Sequence, residues 1–146
     1  MNYWDTSCAL KLYTWEPDSA EYLRFAGESS EPLASSEVLA VELYFSFCQK
    51  EARGDLKRGA AERLRREFEG DVTAGRWLLL PAGRDVVERA ISLADACYHH
   101  RPPVMLRTLD GIHLATADLA GADQIITTGS RLRAAAQRMG LALWPA

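Results

Sequence analysis

The segment DQIITTGSRLRAAAQRMGLALWP, residues 123–145, contains two short apolar runs separated by a helical run. DQIIT, 123–127, is typical of a buried strand, SRLRAAAQRMG, 130–140, has helical spacing, and LALWP, 141–145, is strand-like again. Short, evenly apolar strands that alternate with helices indicate a parallel sheet covered on both faces. The connecting TTGS, 127–130, carries hydroxyls and a glycine but no charge, which indicates a ligand or a tight backbone approach.

The same alternation extends through the rest of the chain. Further strands are predicted at 2–5, 32–36 and 76–81. Helices are predicted at 6–13, 19–27, 83–100 and 108–121, with two longer ones from Ser36 to about Arg53 and from about Leu56 to Glu69. The predicted N-caps are Thr6 or Ser7, Ser35 or Ser36, and Thr108.

These elements predict an α/β fold. We expect a three-layer α/β/α sandwich with a small, mainly parallel central sheet, formed by one domain over residues 1–146. Ligands of such sheets bind outside the carboxyl ends of the strands.

Composition narrows the class of protein. The chain is 48% hydrophobic and 25% charged, as in an ordinary globular protein. No apolar run approaches the roughly 20 residues that cross a bilayer. MNYWDTS, 1–7, lacks the basic flank and apolar core of a signal peptide. We therefore expect a cytoplasmic protein with no membrane partner.

The three cysteines are few and far apart. They form no C-x-x-C pair, which argues against a disulfide framework and against a thiolate zinc site. CYHH, 97–100, is the nearest approach to a metal-ligand cluster, and we interpret it as a solvated helix end.

Basic residues are concentrated in one segment of the chain. The net charge of −3 is unlike that of a strongly basic nucleic-acid binder. KRGAAERLRREFEG, 57–70, nevertheless contains Lys57, Arg58, Arg63, Arg65 and Arg66. Two interpretations stay open: a solvated helix face with neighbouring glutamates, or a patch that contacts phosphates.

Two acidic residues in the first third of the chain, Asp5 and Glu42, are candidate site residues. Asp5 stands where the first strand ends, so it is either an acid favoured by the helix dipole or a ligand at the sheet edge. Glu42 shares a helix face with Val38, Leu39 and Phe45, which places its carboxylate in an apolar stripe. Burying an ionised carboxylate costs several kcal/mol unless cations or donors compensate, which favours a functional role.

A third acid, Asp110, lies in the first turn of a predicted helix. Gly111 follows it at a cost of about 1 kcal/mol relative to Ala, which indicates close packing or close backbone approach. His113, one turn on, is interpreted as a packed or capping residue rather than a base. Gathered by the fold, the carboxylates of Asp5, Glu42 and Asp110 would suit Mg²⁺ or Mn²⁺, which neutralise phosphate and activate water.

Three segments carry a family resemblance. YWDTSCALKLY (3–13), SSEVLAVEL (35–43) and the stretch from RTLDG to LALWP (107–145) resemble, in order and spacing, the motifs of PIN-domain ribonucleases. The resemblance is specifically to the toxins of VapBC-type toxin–antitoxin pairs, and it covers essentially the whole chain. The 55–75 segment resembles the family only in being a helical hairpin, and it carries none of these motifs.

The resemblance implies an activity and partners. It implies Mg²⁺- or Mn²⁺-dependent cleavage of RNA, with catalytic carboxylates at Asp5, Glu42 and Asp110, and with Asp5 and Asp110 as metal ligands. It further implies a homodimer and a cognate antitoxin whose tail blocks the site.

The chain departs from the family pattern after its last buried strand. The family has an acid where this chain has Gly129, and usually Ala where it has Gly111. Asp118 and Asp123 are poor substitutes, since one lies about 12 Å along a helix from Asp110 and the other begins the strand. Thr127, Ser130 or an additional water could fill the gap. The auxiliary site candidates are Thr6, Ser7, Thr127 and Ser130.

Two alternatives remain beside the ribonuclease. Loss of the acid at 129 could leave a weakened or inactive domain that only binds RNA or an antitoxin. An aspartyl-phosphate phosphatase or receiver domain could also use a strand-end acid. DTS lacks the second Asp that the phosphatases use, and none of Lys11, Lys50 and Lys57 follows a later strand as a receiver requires.

Overall fold

The computed structural model describes all 146 residues, and its centre is a five-stranded sheet. The strands are β1 (Asn2–Trp4), β2 (Leu33–Ser36), β3 (Trp77–Leu80), β4 (Gln124–Ile126) and β5 (Ala142–Trp144). Their order is β3-β2-β1-β4-β5, and every neighbouring pair is parallel. The predicted parallel sheet is therefore confirmed, with β1 at its middle.

Seven α-helices connect or follow the strands. They are α1 (Thr6–Ala9), continued by a 3₁₀ turn (Leu10–Leu12), α2 (Ser19–Gly27), α3 (Val38–Ala52), α4 (Ala60–Thr73), α5 (Arg84–Tyr98), α6 (Thr108–Leu119) and α7 (Ser130–Arg138). None of these helices has the length and apolar character needed to span a membrane.

Two hydrophobic cores lie on opposite faces of the sheet. Because strand side chains alternate between faces, Tyr3 packs with α5, α6 and α7, whereas its neighbour Trp4 packs with α2, α3 and α4. Ile125 and Ile126 of β4 divide in the same way. This division produces the predicted three layers.

The starts of α1 and α6 differ from the prediction. Asp5, not Thr6 or Ser7, is the N-cap of α1, and its carboxylate accepts a hydrogen bond from the Cys8 amide at 3.1 Å. Thr108 is the first helical residue of α6, and the N-cap position belongs to Arg107, which has extended backbone and no side-chain cap. The predicted caps at Thr6, Ser7 and Thr108 are therefore wrong by one or two residues.

Two further helix starts differ from the prediction. Glu37 occupies the N-cap position of α3, although Ser36 Oγ still accepts a hydrogen bond from the Val38 amide at 3.3 Å. The second long helix begins at Ala60 rather than Leu56, because the carboxylate of Glu51 on α3 accepts from the Ala61 amide at 3.0 Å. Gly59, with φ of 87°, occupies the N-cap position, so the start is set both by this glycine and by the contact with Glu51.

Candidate active site

A polar cleft of about 460 Å³ opens beside the carboxyl ends of β1 and β4. Its walls come from the starts of α1, α6 and α7 and from one side of α3, and every lining residue is polar, charged or glycine. Asp5, Glu42 and Asp110 all line this cleft, so the fold gathers the three predicted carboxylates. The cleft lies at the carboxyl ends of parallel strands, the edge at which such sheets bind their ligands.

Asp5 is held rigidly at the bottom of the cleft. The residue is 6% exposed, and Oδ1 accepts hydrogen bonds from Ser7 Oγ at 2.7 Å and from the Cys8 amide at 3.1 Å. Thr127 Oγ1 donates to Oδ2 at 2.5 Å. Neutral donors thus fix both oxygens, but no cationic side chain forms an ion pair with this carboxylate.

Asp110 faces the same cleft from the first turn of α6, and its carboxylate forms no hydrogen bond or ion pair with another side chain. Burial, followed by the negative charge of Asp5, raises the pKa of Asp110 above its ordinary value. The opposing effects of the Arg107 backbone amide and of the Arg107 charge are smaller. Two neighbouring carboxylates without a cationic partner are the donor chemistry of a hard divalent ion, so these residues fit Mg²⁺ or Mn²⁺.

The raised pKa of Asp110 gives a pH-dependent stability in the absence of divalent ions. A carboxyl with a higher pKa in the folded state contributes stability that is fully present below the unfolded pKa, near 3.8, and is lost as the pH rises through the folded pKa. We therefore expect Asp110→Asn to become increasingly more stable than wild type as the pH rises from acidic to neutral. Urea unfolding in EDTA measures this difference, and a difference independent of pH would contradict the assignment.

Glu42 lies on α3 at the opposite wall, and one of its two carboxylate oxygens is hydrogen-bonded within the protein. Oε2 accepts a hydrogen bond from Thr6 Oγ1 at 2.5 Å and lies 2.5 Å from His113 Nε2, while Oε1 has no protein partner. Burial alone would raise the pKa of Glu42, but the hydrogen bonds from His113 and Thr6 lower it below its ordinary value. The side chain is 19% exposed.

The structure brings the three acids to one cleft but not into one ligand group. No three His, Cys, Asp or Glu side chains are arranged to bind a single metal ion. Glu42 is directed towards His113, which leaves Asp5 and Asp110 as the pair for a cation. The apolar stripe predicted around Glu42 is also only partly correct, because Leu39 is buried but Phe45 is 64% exposed.

His113 is the site residue that sequence reasoning underestimated. It is buried, as predicted, but its ring nitrogens contact Tyr3 Oη at 2.8 Å and Glu42 Oε2 at 2.5 Å. Its position three residues after Asp110 on the same helix face was the available signal. Local sequence alone did not identify Glu42 and Tyr3 as its partners.

The uncharged TTGS segment supports Asp5 rather than replacing an acid. Thr127 Oγ1 donates to Asp5 and accepts from the Gly129 amide at 3.0 Å, and Thr128 Oγ1 lies 3.2 Å from Ser7 Oγ. A Cβ at Gly129 would lie 3.4 Å from Thr127 Oγ1 and 3.9 Å from Asp5 Oδ2, both ordinary contacts. With φ of −68°, this position would accept a side chain without strain.

Three of the four auxiliary candidates form hydrogen bonds with the acids of the cleft. Ser7 and Thr127 hydrogen-bond to Asp5, whereas Thr6 hydrogen-bonds to Glu42. Ser130, the first residue of α7, lines the cleft. The predicted set therefore lies at the site, mostly as support for the carboxylates.

Within the basic segment, the arginines that lie on α4 are paired with glutamates of the same helix. Arg65 bonds to Glu62 and Glu69, and Arg66 bonds to Glu62. Arg107 and Arg131 instead line the cleft, and neither forms a salt bridge. They flank Asp110 and Gly129 at the positive N-terminal ends of α6 and α7, a signal that the sequence interpretation missed.

The CYHH segment has no metal-binding geometry. Cys97 is buried in the core, whereas His99 pairs with Asp95 at 2.8 Å on the exposed end of α5. The interpretation as a helix end therefore accounts for this segment.

Known proteins resemble this chain in both sequence and fold. A family model described as the PIN domain matches residues 3–138. Ribonuclease VapC46 of Mycobacterium tuberculosis is 31% identical over 143 residues, 97% of this chain and 94% of the relative. VapC20 of M. tuberculosis, a sarcin-ricin loop cleaving toxin, superposes with a TM-score of 0.68 at 14% identity, over 92% of this chain and 95% of that one. A chain of a toxin–antitoxin complex from Klebsiella pneumoniae superposes with a TM-score of 0.57 at 16% identity, over 89% of this chain and 88% of that one.

Proposed function

The chain belongs to the PIN-domain family, and from that premise we propose that it is a Mg²⁺- or Mn²⁺-dependent endoribonuclease. It acts as the toxin of a toxin–antitoxin pair, in one domain over residues 1–146, until a cognate antitoxin blocks the cleft. The identity to a VapC ribonuclease supports RNA as the substrate. The likeness to a toxin–antitoxin complex supports the partner.

The observation that carries this proposal is the uncompensated carboxylate pair. Asp5 and Asp110 face one polar cleft, burial and the charge of Asp5 raise the pKa of Asp110, and neither carboxylate forms an ion pair with a protein cation. Asp5 and Asp110 would hold the ion. When bound, it supplies positive charge that neutralises the scissile phosphate and activates water for in-line attack.

The chain's own residues position the reaction. Ser7 and Thr127 keep both oxygens of Asp5 in place, so no reorganisation of this ligand is needed. Glu42 is ionised at neutral pH because its pKa lies below the ordinary value, and its Oε1 is free to accept a proton from the attacking water. With a glycine at 129, two carboxylates and retained waters favour one metal ion over two.

Arg107 and Arg131 are the cations that contact the RNA backbone in this proposal. We expect Arg107→Ala and Arg131→Ala each to weaken RNA binding and to reduce the slope of log K against log salt by about 0.7, the value for one single-strand phosphate contact. Binding is measured in an Asp5→Asn background, in which RNA stays uncleaved. Arg66→Ala on α4 is the matched control, and an equal effect of all three would contradict this assignment.

A homodimer is part of the same proposal. Apolar side chains on the outer face of α5 support it, since Val87 is 49% and Ile91 66% exposed. Contiguous apolar surface of this kind marks interaction sites. Sedimentation of the purified chain measures the state of assembly.

Expression tests the toxin assignment against the binding-only alternative. An active nuclease arrests growth of the host, Asp5→Asn does not, and co-expression of the small protein encoded beside the chain restores growth. A domain that only binds RNA or an antitoxin would be equally toxic, or equally harmless, with Asn at position 5. Equal toxicity of the two forms would therefore contradict the ribonuclease.

A further inference from the structure

A buried chain of hydrogen bonds connects the backbone of β2 to the catalytic wall of the cleft. The Ser36 amide donates to Tyr3 Oη at 2.9 Å, Tyr3 Oη lies 2.8 Å from His113 Nδ1, and His113 Nε2 lies 2.5 Å from Glu42 Oε2. Tyr3 is 1% and His113 3% exposed. The chain of hydrogen bonds thus links β1, α6 and α3, and it ends at one carboxylate oxygen of Glu42.

The position of each proton follows from the donors in this chain. Tyr3 Oη already accepts from the Ser36 amide, and His113 Nδ1 is the partner left for its own hydrogen. At neutral pH the phenol keeps that hydrogen, because the ordinary pKa of a tyrosine side chain is about 10. If Tyr3 donates, Nδ1 must accept, and the ring carries its hydrogen on Nε2. Nε2–H then points at Glu42.

We propose that His113 is a positioning residue, which donates Nε2–H to Glu42 Oε2 and is held in that tautomer by Tyr3. Thr6 Oγ1 donates to the same oxygen at 2.5 Å, so two donors fix Oε2 and leave Oε1 for the cleft. His113 acts only through Glu42 and does not contact the substrate. The catalytic half of this proposal depends on the ribonuclease activity, whereas the tautomer does not.

Three variants separate positioning from simple packing. His113→Leu fills the buried position with a side chain that cannot donate a hydrogen bond to Glu42. We expect kcat to fall by about 10- to 100-fold with KM unchanged. His113→Gln can present an amide N–H to Glu42 and should recover part of that loss. His99→Leu is the matched control, because His99 pairs with Asp95 on the exposed end of α5, and its kcat should equal that of wild type.

A spectroscopic measurement keeps the proposal testable if His113→Leu fails to fold. Long-range ¹H–¹⁵N spectra of metal-free wild type should show His113 with an unprotonated Nδ1 and a protonated Nε2. Tyr3→Phe, which removes the donor to Nδ1, should raise the population of the other tautomer. A ring protonated at Nδ1 in the wild type, in either charge state, would overturn the proposal.

The outcomes also distinguish this proposal from the activity on which it depends. If Glu42→Gln abolishes RNA cleavage and folded His113→Leu leaves kcat unchanged, the positioning role is wrong and the ribonuclease stands. If wild type cleaves no RNA, the ribonuclease fails, and the spectra still decide the tautomer.

Discussion

Asp110→Asn is expected to reduce RNA cleavage by at least about a hundredfold and, at the same time, to stabilise the protein in EDTA. The loss follows because the site would lose one of two ligands for an ion worth several kcal/mol of transition-state stabilisation. The gain follows because burial and Asp5 disfavour the charged form of Asp110. The raised pKa means that these effects exceed the favourable interaction with the N-terminus of α6.

The measurements are single-turnover cleavage of a labelled RNA and thermal unfolding in EDTA and in Mg²⁺. Asp118→Asn is the matched control, since Asp118 lies on the same helix but pairs with Arg89 at 2.7 Å, outside the cleft. It should cleave normally and be slightly less stable. Normal cleavage by Asp110→Asn, or a lower stability in EDTA, would contradict the paired-carboxylate site.

Gly129→Asp should increase affinity for Mg²⁺ or Mn²⁺ by about tenfold or more, equivalent to about 1.4 kcal/mol. Added carboxylate charge increases the affinity of oxygen-ligand sites, and the backbone at 129 accepts a side chain beside Asp5 without strain. Without metal the same charge repels Asp5, so this variant should unfold at a lower temperature than wild type. Calorimetric titration and thermal unfolding measure the two effects.

Gly129→Asn separates charge from shape. It adds nearly the same volume and the same N-cap capacity for α7, but no negative charge. We expect it to leave metal affinity near that of wild type and to avoid the destabilisation in EDTA. An equal gain for Asn and Asp, or no gain for Asp, would show that position 129 does not face the ion.

Sequence reasoning predicted the fold, the family and the clustering of the acids because each depends on local or repeated patterns. Short apolar strands alternating with helices specified the parallel sheet. Acids at the end of β1 and the start of α6 then converge by the geometry of that sheet. The family resemblance is confirmed by the match to residues 3–138.

The remaining features depend on contacts between distant segments. Glu51 supports the start of α4 from another helix, although the Gly59 N-cap is a local signal for it. His113 resembles a core residue until its distances to Tyr3 and Glu42 are known. Side-chain direction was likewise needed to separate Arg107, in the cleft, from the glutamate-paired arginines of α4.

The most direct test is cleavage of a fluorogenic RNA by the purified, antitoxin-free chain across a titration of Mg²⁺. We predict that the rate rises with Mg²⁺, falls to the uncatalysed level in EDTA, returns when excess Mg²⁺ is added, and is absent in Asp5→Asn at every concentration. Cleavage that persists both in EDTA and in Asp5→Asn would contradict the metal-dependent ribonuclease.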